Sequence, residues 1–351
     1  MINSVLQEYG INPETSKLEI FGTGLINSTW KLITPNNEYI LQRVNNTVFE
    51  NPADIASNIN LIAAHLKENY PGYIFVSPIV SNSGHEIVYK KEDGYFRLFP
   101  FVPGSHSIDV VETPQQAYEA AAQFGKFTRV LSKVDVSKLK ITIPDFHNLA
   151  LRYEMFLQSL KVGNKDRILE ADSLIKIVLE HNNIVTTYSQ ISNHPQFRLR
   201  VTHHDTKISN VLFDTDNNGI CVIDLDTVMP GYFISDVGDM MRTYLSPVNE
   251  EENDFNKIAV RGEFYAAIVH GYSNEMKDSL TEVEKEHFFY AGTFMIYMQA
   301  VRFITDYFNN DIYYGATYPQ HNLVRAKNQI VLLQRLLEKE VIFSEILKIK
   351  L

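Results

Sequence analysis

The chain has a single cysteine, Cys221, among its 351 residues, which excludes an intrachain disulfide and is typical of proteins from a reducing compartment. It also has no long hydrophobic run: the most apolar segment, residues 291–304, contains Gln299 and Arg302 and is too short to span a bilayer. Its first residues carry neither a basic region nor an apolar core, so no secretory signal is visible. These absences predict a cytoplasmic protein without a membrane partner.

Basic residues are in deficit, with 32 lysines and arginines against 42 aspartates and glutamates and a formal net charge of −10. Nucleic acids and anionic membranes bind basic surfaces, so this balance argues against both as main partners. Hydrophobic residues make up 45% of the chain and charged residues 21%, which is ordinary for a soluble globular protein. The length is sufficient for a large core and two lobes.

The most informative segment is VTHHDTKISNVLF at residues 201–213, followed by VIDLD at 222–226. It contains the spacing H-x-D-x-K-x-x-N, which is typical of a kinase catalytic loop. In such loops the aspartate accepts the proton of the substrate hydroxyl and the asparagine holds a metal ion. The segment therefore predicts a phosphoryl-transfer site.

A β-hairpin is predicted directly after this loop. Two short apolar runs, 211–213 and 220–223, flank a polar segment that ends in Asn-Gly. If the hairpin turns about Asn217, Asn210 lies opposite Asp224 at its open end. An amide oxygen and a carboxylate then converge, and such hard oxygen ligands suit Mg²⁺.

The chemistry of these side chains suggests a role for each. Asp205 is the candidate base that orients and deprotonates the acceptor hydroxyl. Lys207 can reach back toward the γ-phosphate and offset its developing charge. Asn210 and Asp224 are the candidate Mg²⁺ ligands, and Asp226 is a further carboxylate for the metal or for its surroundings.

Residues 1–100 are predicted to form a small lobe of strands. A glycine turn at 22–24 separates the first two strands, and Asn51-Pro52 predicts the start of a helix. Apolar residues at helical spacing between 55 and 66 indicate that one face of this helix packs on the sheet. The predicted strands are 18–21, 28–34, 39–44, 86–89 and 95–101.

Residues 99–104, FPFVPG, are predicted to link this lobe to a second, mainly helical lobe over 101–351. Thr281 and Glu284 form a capping-box pattern ahead of a long helix that runs to about residue 308. The predicted fold is therefore α+β and protein-kinase-like. A small antiparallel sheet lobe and a large helical lobe enclose a cleft for ATP.

At this point the sequence resembles the aminoglycoside-phosphotransferase and choline-kinase superfamily, and within it the N-acetylhexosamine 1-kinases. The resemblance runs over nearly the whole chain. Its marks are GTGLINSTW (22–30), YILQRVN (39–45), FHN (146–148) with Arg152 downstream, VTHHDTKISNVLFD (201–214), VIDLDTVMPG (222–231), DVGD (236–239) and RFITDYFNNDIYYGATYPQHNLVR (302–325).

The resemblance implies an ATP- and Mg²⁺-dependent enzyme that phosphorylates the anomeric hydroxyl of GlcNAc or GalNAc. Asp205 matches the base, Lys207 the lysine beside the transferred phosphate, and Asn210 and Asp224 the metal ligands. Arg302, Tyr313 and the glycine turn with Leu25 are expected to contact the sugar. The residues expected at the nucleotide are Gly22, Gly24, Asn27, Arg43, Phe99 and Phe101.

Three positions depart from the family pattern. Leu25 stands where a histidine is expected, which removes a polar contact to the sugar. The third strand carries Gln42 in place of the usual lysine, and the following helix offers asparagines in place of its glutamate partner. Arg43 is a candidate for the missing charge, although neighbouring strand residues point to opposite faces. His204, between His203 and Asp205, is expected at the surface or at the edge of the substrate site.

Two alternatives stay open. Arg302 lies in an apolar helix, where it could pair with Asp306 one turn later or direct its cation at the substrate; the resemblance favours the second. For the whole chain, the alternatives are a kinase of another small alcohol, such as another sugar, a choline-like amino alcohol or an aminoglycoside, and a pseudokinase that only binds its ligands.

Overall fold

The computed structural model describes residues 2–22 and 27–350. The first hundred residues contain a five-stranded antiparallel sheet, in which neighbouring strands pair in the order first, second, third, fifth, fourth. The second and third strands pair from Ser28 opposite Arg43 to Ile33 opposite Glu38. The strands are β1 (Lys17–Ile20), β2 (Ser28–Ile33), β3 (Glu38–Val44), β4 (Val88–Lys90) and β5 (Gly94–Pro100).

One face of the sheet is covered by a short N-terminal helix, α1 (Ile2–Glu8), which the sequence did not predict. Val5 and Leu6 of this helix are buried in a small core together with Leu32, Leu41, Phe96 and Leu98 of the sheet. The two sides alternate along each strand, so that Phe96 and Leu98 face this core and Arg97 and Phe99 face the opposite side.

The predicted helix at Asn51-Pro52 is present as α2 (Pro52–Asn69), with proline in its first turn. Its packing differs from the prediction, because its apolar face joins the main core of the helical lobe and not the core beneath the sheet. Asn58 secures this arrangement: its side-chain amide donates to the backbone oxygens of Lys140, at 2.9 Å, and Val228, at 3.0 Å. An amphipathic pattern shows that a helix buries a face, but not which surface receives it.

The remaining chain forms the large lobe. It is mainly helical, with two small two-stranded antiparallel sheets in its middle, β6 with β9 and β7 with β8. The strands are β6 (Arg200–Thr202), β7 (Val211–Phe213), β8 (Gly219–Val222) and β9 (Met229–Gly231). The helices are α3 (Pro114–Val130), α4 (Leu149–Val162), α5 (Lys165–Glu170), α6 (Asp172–Glu180), α7 (Asn183–Ser192), α8 (Phe233–Tyr244), α9 (Gly262–Met276), α10 (Glu282–Glu286), α11 (Phe288–Phe308), α12 (His321–Leu337) and α13 (Glu340–Lys350).

The helical core is built around α11, almost every residue of which is buried. Beside it, α3 and α9 approach closely at Gly271, where an added Cβ would lie 2.4 Å from the backbone oxygen of Tyr118. The capping box of Thr281 and Glu284 forms as predicted. The long helix expected after it is interrupted at His287, so α10 and α11 are separate helices.

The structure thus has the predicted α+β architecture of a small antiparallel sheet lobe and a large helical lobe. Cys221 lies in β8 and is buried, as expected for a small apolar residue. Across residues 2–22 and 27–350, we find no helix with the length and apolar character needed to cross a membrane.

Candidate active site

The loop that carries Asp205 follows β6, and side chains from the first turns of α8 hold its backbone in place. The Asp236 carboxylate accepts the backbone N–H groups of His203, at 3.1 Å, and His204, at 2.8 Å. Asp239 accepts the backbone N–H of Thr206 at 2.8 Å. Both N–H groups that flank Asp205 are therefore held by buried carboxylates, which orders the loop.

The hairpin after this loop forms, but its register differs by one residue from the prediction. Val211 pairs with Val222, and the Ile223 N–H donates to the Asn210 carbonyl at 2.9 Å, so Asn210 faces Ile223 and not Asp224. The turn closes around Asp216, one residue earlier than predicted, because the Asp214 N–H donates to the Asn218 carbonyl at 3.0 Å and Phe213 pairs with Gly219. A register shift between Leu212 and Phe213 then recovers one of the two displaced positions. Hairpin register follows turn and bulge geometry, which sequence spacing fixed only approximately here.

Asp224 lies near Asn210 because of its own backbone conformation and not because of the hairpin register. It adopts a left-handed backbone conformation, with φ 59° and ψ 65°, two residues after the end of β8. This conformation is costly for a residue other than glycine and turns the chain sharply into the turn Leu225–Thr227. As a result, Asp224 and Asn210 both line the cleft between the lobes.

Asp205 lies at the centre of a charged group. Lys207 Nζ is 3.1 Å from Asp205 Oδ1, and the Asn210 side-chain amide donates to Asp205 Oδ2 at 3.1 Å. Burial alone would raise the pKa of Asp205, but Lys207, His203 and the hydrogen bonds of this group together lower it below its usual value. Asp205 is therefore ionised at neutral pH and able to accept a hydrogen bond from a substrate hydroxyl.

Asp224 has the opposite electrostatic character. Desolvation within the cleft, followed by the like charges of Asp226 and Asp205, raises the pKa of Asp224 to about 7, although Arg97 and Lys207 oppose the shift. Asp224 remains open to the cleft. This carboxylate is thus placed where an added cation is favourable.

The donor set fits a magnesium ion that is shared with a substrate. Among the described residues, no hydrogen-bond donor contacts the Asp224 carboxylate, and Asn210 uses its side-chain nitrogen toward Asp205, which leaves its oxygen for the cleft. No cluster of three or more metal-binding His, Cys, Asp or Glu side chains occurs in residues 2–22 and 27–350. Mg²⁺ typically takes few protein ligands and completes its shell with water and phosphate oxygens.

The cleft itself encloses about 910 Å³ of space, part of it open to solvent. Its inner wall is apolar, with Ile40 and Phe99 from the sheet and Leu212 from the hairpin. Phe101 lies at its edge, where its ring contacts Phe21 edge to face at 6.3 Å and carries Lys31 Nζ 4.0 Å above its face. A flat aromatic base fits between such walls, while Asn210 and Asp224 mark the polar end.

The glycine turn is described only at its two ends. Gly22 has φ 78°, a conformation that favours glycine, and a Cβ added there would meet none of the described residues within 4 Å. Gly24 and Leu25, expected at the nucleotide and the sugar, lie outside the described residues. Asn27 does not line the cleft: its side chain donates to Asp226 Oδ2 at 2.8 Å and accepts the Asn45 N–H at 3.0 Å.

A second pocket, with about 400 Å³ of space, lies between α4, α11 and the loop after α11. Arg302 and Tyr313 both line it, and Arg302 Nη2 is 3.4 Å from the Tyr313 hydroxyl. The guanidinium of Arg302 also lies 5.5 Å from the ring centre of Phe146, which stacks on His147. We call this the arginine pocket.

The profile of the Phosphotransferase enzyme family matches residues 17–283, which include the sheet, the cleft and the Asp205 loop. The chain belongs to this family. The match ends before α11, so it does not include the loop that carries Tyr313 or the arginine of α11 that lines the arginine pocket.

Solved structures of similar fold are kinases of small molecules. The microcompartment-associated aminopropanol kinase superposes with a TM-score of 0.68 at 14% identity, covering 98% of both chains. Amicoumacin kinase, in complex with AMP-PNP, Ca²⁺ and its antibiotic, gives 0.64 at 14% identity, over 95% of this chain and 92% of its own. A choline/ethanolamine kinase family protein from Mesorhizobium loti gives 0.59 at 15% identity over 99% of both. The phosphotransferase thus has the protein-kinase-like fold expected from its sequence.

The structure does not bring Arg43 to the cleft of the phosphotransferase. Its side chain is exposed on the other side of β3, while Gln42 lines the cleft. The charge at this place comes from Arg97 of β5, which pairs across the strands with Gln42 and lines the same wall. Alternation along β5 could have revealed Arg97, because it shares a face with Phe99.

Two further expectations, for Asp226 and His204, need correction, and one of the two alternatives for Arg302 is excluded. Asp226 does not point freely at a metal site: it is buried, and both its carboxylate oxygens accept hydrogen bonds from Arg97, at 2.5 and 2.9 Å. His204 is buried and not at the surface, with Nδ1 3.3 Å from His147 Nδ1. Arg302 forms no ion pair with Asp306 among the described residues, because the Asp306 carboxylate accepts the backbone N–H groups of Tyr313 and its neighbour at 2.8 and 2.9 Å.

Proposed function

We propose that this phosphotransferase transfers the γ-phosphoryl group of ATP to the anomeric C1 hydroxyl of an N-acetylhexosamine, GlcNAc or GalNAc. The observation that carries the proposal is the convergence of Asp205, Lys207, Asn210 and Asp224 at the polar end of an aromatic-walled cleft. The AMP-PNP bound by the structurally similar amicoumacin kinase supports an adenine nucleotide as the phosphoryl donor.

Each residue has a defined task in this scheme. Asp205 accepts the hydrogen bond of the acceptor hydroxyl, aligns it for in-line attack and receives its proton as the new bond forms. Lys207, whose pKa is raised by Asp205, stays protonated and stabilises charge on the transferring group. Asn210 and Asp224 would hold Mg²⁺, which when bound neutralises the phosphate oxygens. Most of the acceleration then comes from positioning and electrostatics.

The arginine pocket supports a neutral acceptor over a cationic one. Arg302 and Arg152 both line it, and burial together with the charge of Arg302 lowers the pKa of Arg152. Among the described residues that line it, Asp306 has the one carboxylate, and backbone N–H groups occupy it. A cationic amine would meet two positive charges without a free counter-ion, whereas the hydroxyl and acetamido oxygens of a hexosamine accept hydrogen bonds from guanidinium groups.

Kinases of other small alcohols are the second candidate, and the aminopropanol and choline/ethanolamine kinases among the structural neighbours favour it. A pseudokinase is the third, since the usual lysine of the third strand is replaced by Gln42. The complete set of Asp205, Lys207, Asn210 and Asp224 argues against a protein that only binds nucleotide.

An acceptor panel tests the proposal directly. ADP release is measured with MgATP and GlcNAc, GalNAc, glucose, galactose, choline, ethanolamine, aminopropanol or an aminoglycoside, and the phosphorylated position is determined by NMR. We expect the highest kcat/KM with an N-acetylhexosamine and a product phosphorylated at C1. Preference for an amine would establish the second candidate, and stabilisation by MgATP without any product would establish the third.

A further inference from the structure

A buried ion pair joins the two lobes directly behind the proposed metal ligands. Arg97 of β5 and Asp226 of the turn after β8 are 1% and 3% exposed, with Arg97 Nη1 2.5 Å from Asp226 Oδ1. Arg97 also donates from Nε and Nη2 to the Gln42 side-chain oxygen, at 3.1 and 2.8 Å. Four of the five guanidinium N–H groups are thus directed to fixed acceptors.

Asp226 is also tied to Asn27, which directly precedes β2. Asn27 donates to Asp226 Oδ2 at 2.8 Å and accepts the Asn45 N–H, just after β3, at 3.0 Å. Asp226 therefore contacts β5 through Arg97, and the end of β3 through Asn27. It lies two residues after Asp224, whose left-handed conformation must be maintained by its surroundings.

Stability alone gives a weak reason for such a pair. Two charges lose their hydration on burial, and apolar residues of similar size often stabilise a protein equally well. Protein kinases use an ion pair between a lysine of the third strand and a helix glutamate to complete their active site. Here the third strand carries Gln42, which serves as an acceptor for Arg97.

We propose that Arg97 and Asp226 are positioning residues: their ion pair fixes the turn of Asp224 against the sheet and so sets the affinity for magnesium–nucleotide. The inference rests on the proposed function only in taking ATP as the nucleotide. It does not depend on which acceptor is phosphorylated, because its test measures binding.

The test compares ATP affinity with and without Mg²⁺, by calorimetry, in the wild-type protein and in Arg97→Met/Asp226→Leu. The unfolding temperature is measured in parallel. We expect the double variant to fold, and we expect the ratio of its ATP affinities with and without Mg²⁺ to fall by about 10-fold or more, as for other residues that orient metal ligands. An unchanged gain would overturn the inference.

A matched control is Arg200→Met. Arg200 and Glu284 form another buried pair, also at 2.5 Å, which joins β6 to α10 away from the cleft. This variant loses a buried pair yet should keep the full Mg²⁺ effect; an equal loss there would also contradict the inference, because it would show a general effect of destabilisation.

Arg97→Lys decides the case if the double variant does not fold. Lysine keeps the charge but cannot hold Asp226 and Gln42 at once with a planar fork, so the Mg²⁺ effect should still fall. A full Mg²⁺ effect in this variant rejects the inference. If the wild-type protein binds MgATP but phosphorylates no acceptor, only the proposed function fails, whereas absence of any Mg²⁺-dependent ATP binding would overturn both.

Discussion

Gly231 is a position where one methyl group should disable the base without touching it. A Cβ at this residue would lie 2.5 Å from His204 Cε1, 2.6 Å from His204 Nε2 and 3.0 Å from Thr202 Cβ. Ordinary carbon contacts are about 3.5–4.0 Å, so the imidazole must move by about 1 Å. The ring is buried and packs edge to face on His147, with 5.1 Å between ring centres, so it cannot simply swing away. The displacement therefore reaches the backbone of His204, which immediately precedes Asp205.

A misplacement of about 1 Å can cost about 100-fold in rate, or about 2.7 kcal/mol of transition-state stabilisation. We therefore expect Gly231→Ala to lower kcat by about two orders of magnitude while the KM for MgATP changes little, since Gly231 does not line the cleft. Steady-state ADP release at saturating acceptor measures both quantities.

Gly72→Ala is the matched control, because a Cβ at Gly72 would meet no atom of the described residues within 4 Å. This variant should keep the kcat of the wild-type protein. In a His204→Ala background the opposing ring is gone, so adding Gly231→Ala should have little further effect. Full turnover of the single Gly231→Ala variant would refute the claim that this contact positions Asp205. The same conclusion follows if its entire loss of rate arises from weaker MgATP binding.

Three further outcomes are expected. Metal-free Asp224 has a pKa raised to about 7, so below that pH it holds a proton that Mg²⁺ must displace. The affinity of the ATP-bound protein for Mg²⁺ should therefore fall roughly tenfold per pH unit below 7. An equal pH dependence of Mg²⁺ affinity in Asp224→Asn would contradict this. Asp224→Ala should abolish the metal-dependent part of ATP binding, and unchanged MgATP affinity by calorimetry would disprove its role. Arg302→Met should raise the KM for the acceptor by about tenfold or more and leave the KM for MgATP unchanged. The control Arg335→Met, at an exposed position, should leave the KM for the acceptor unchanged. Equal acceptor KM values in the two variants would show that the arginine pocket does not bind the acceptor.

Local patterns in the sequence predicted the five strands of the sheet lobe, the helix α2 and the group around Asp205. Each of these depends on residues that are near one another along the chain. Turn residues marked the ends of the strands, the proline of α2 marked its first turn, and the spacing between Asp205 and Asn210 placed both on one short loop. In the same way, the capping box at Thr281 is complete within four residues.

Errors arose where partners are distant in sequence and where a turn sets the register of a hairpin. The apolar face of α2 was predicted, but the surface that receives it depends on Asn58 binding the backbone at 140 and 228. The register of the hairpin differs by one residue because its turn closes between Asp214 and Asn218, one residue earlier than predicted, and the shift between Leu212 and Phe213 recovers only one of the two displaced positions. For Arg302, helical spacing also allowed an ion pair with Asp306, the alternative that the resemblance did not favour, and the loop after α11 occupies that carboxylate.

Arg97 shows both what the sequence could predict and what it could not. Its position on the cleft face of β5 follows from the alternation that places Phe99 there, so it was open to prediction. Its partner Asp226 is 129 residues away, and only the folded chain brings the two together. Because Arg97 occupies both oxygens of Asp226, only the second of its two predicted roles, a carboxylate in the surroundings of the metal site, stays open.

The most direct test of the account is turnover by Asp205→Asn, measured together with its affinity for MgATP. The substitution keeps the size of the side chain but removes the proton acceptor, so kcat should fall by about 10²–10⁴-fold, the usual contribution of a positioned base. MgATP affinity should stay close to that of the wild-type protein, because Asn210 and Asp224 remain in place. Turnover close to the wild-type value would contradict the assignment of Asp205 as the base, and with it the proposed active site.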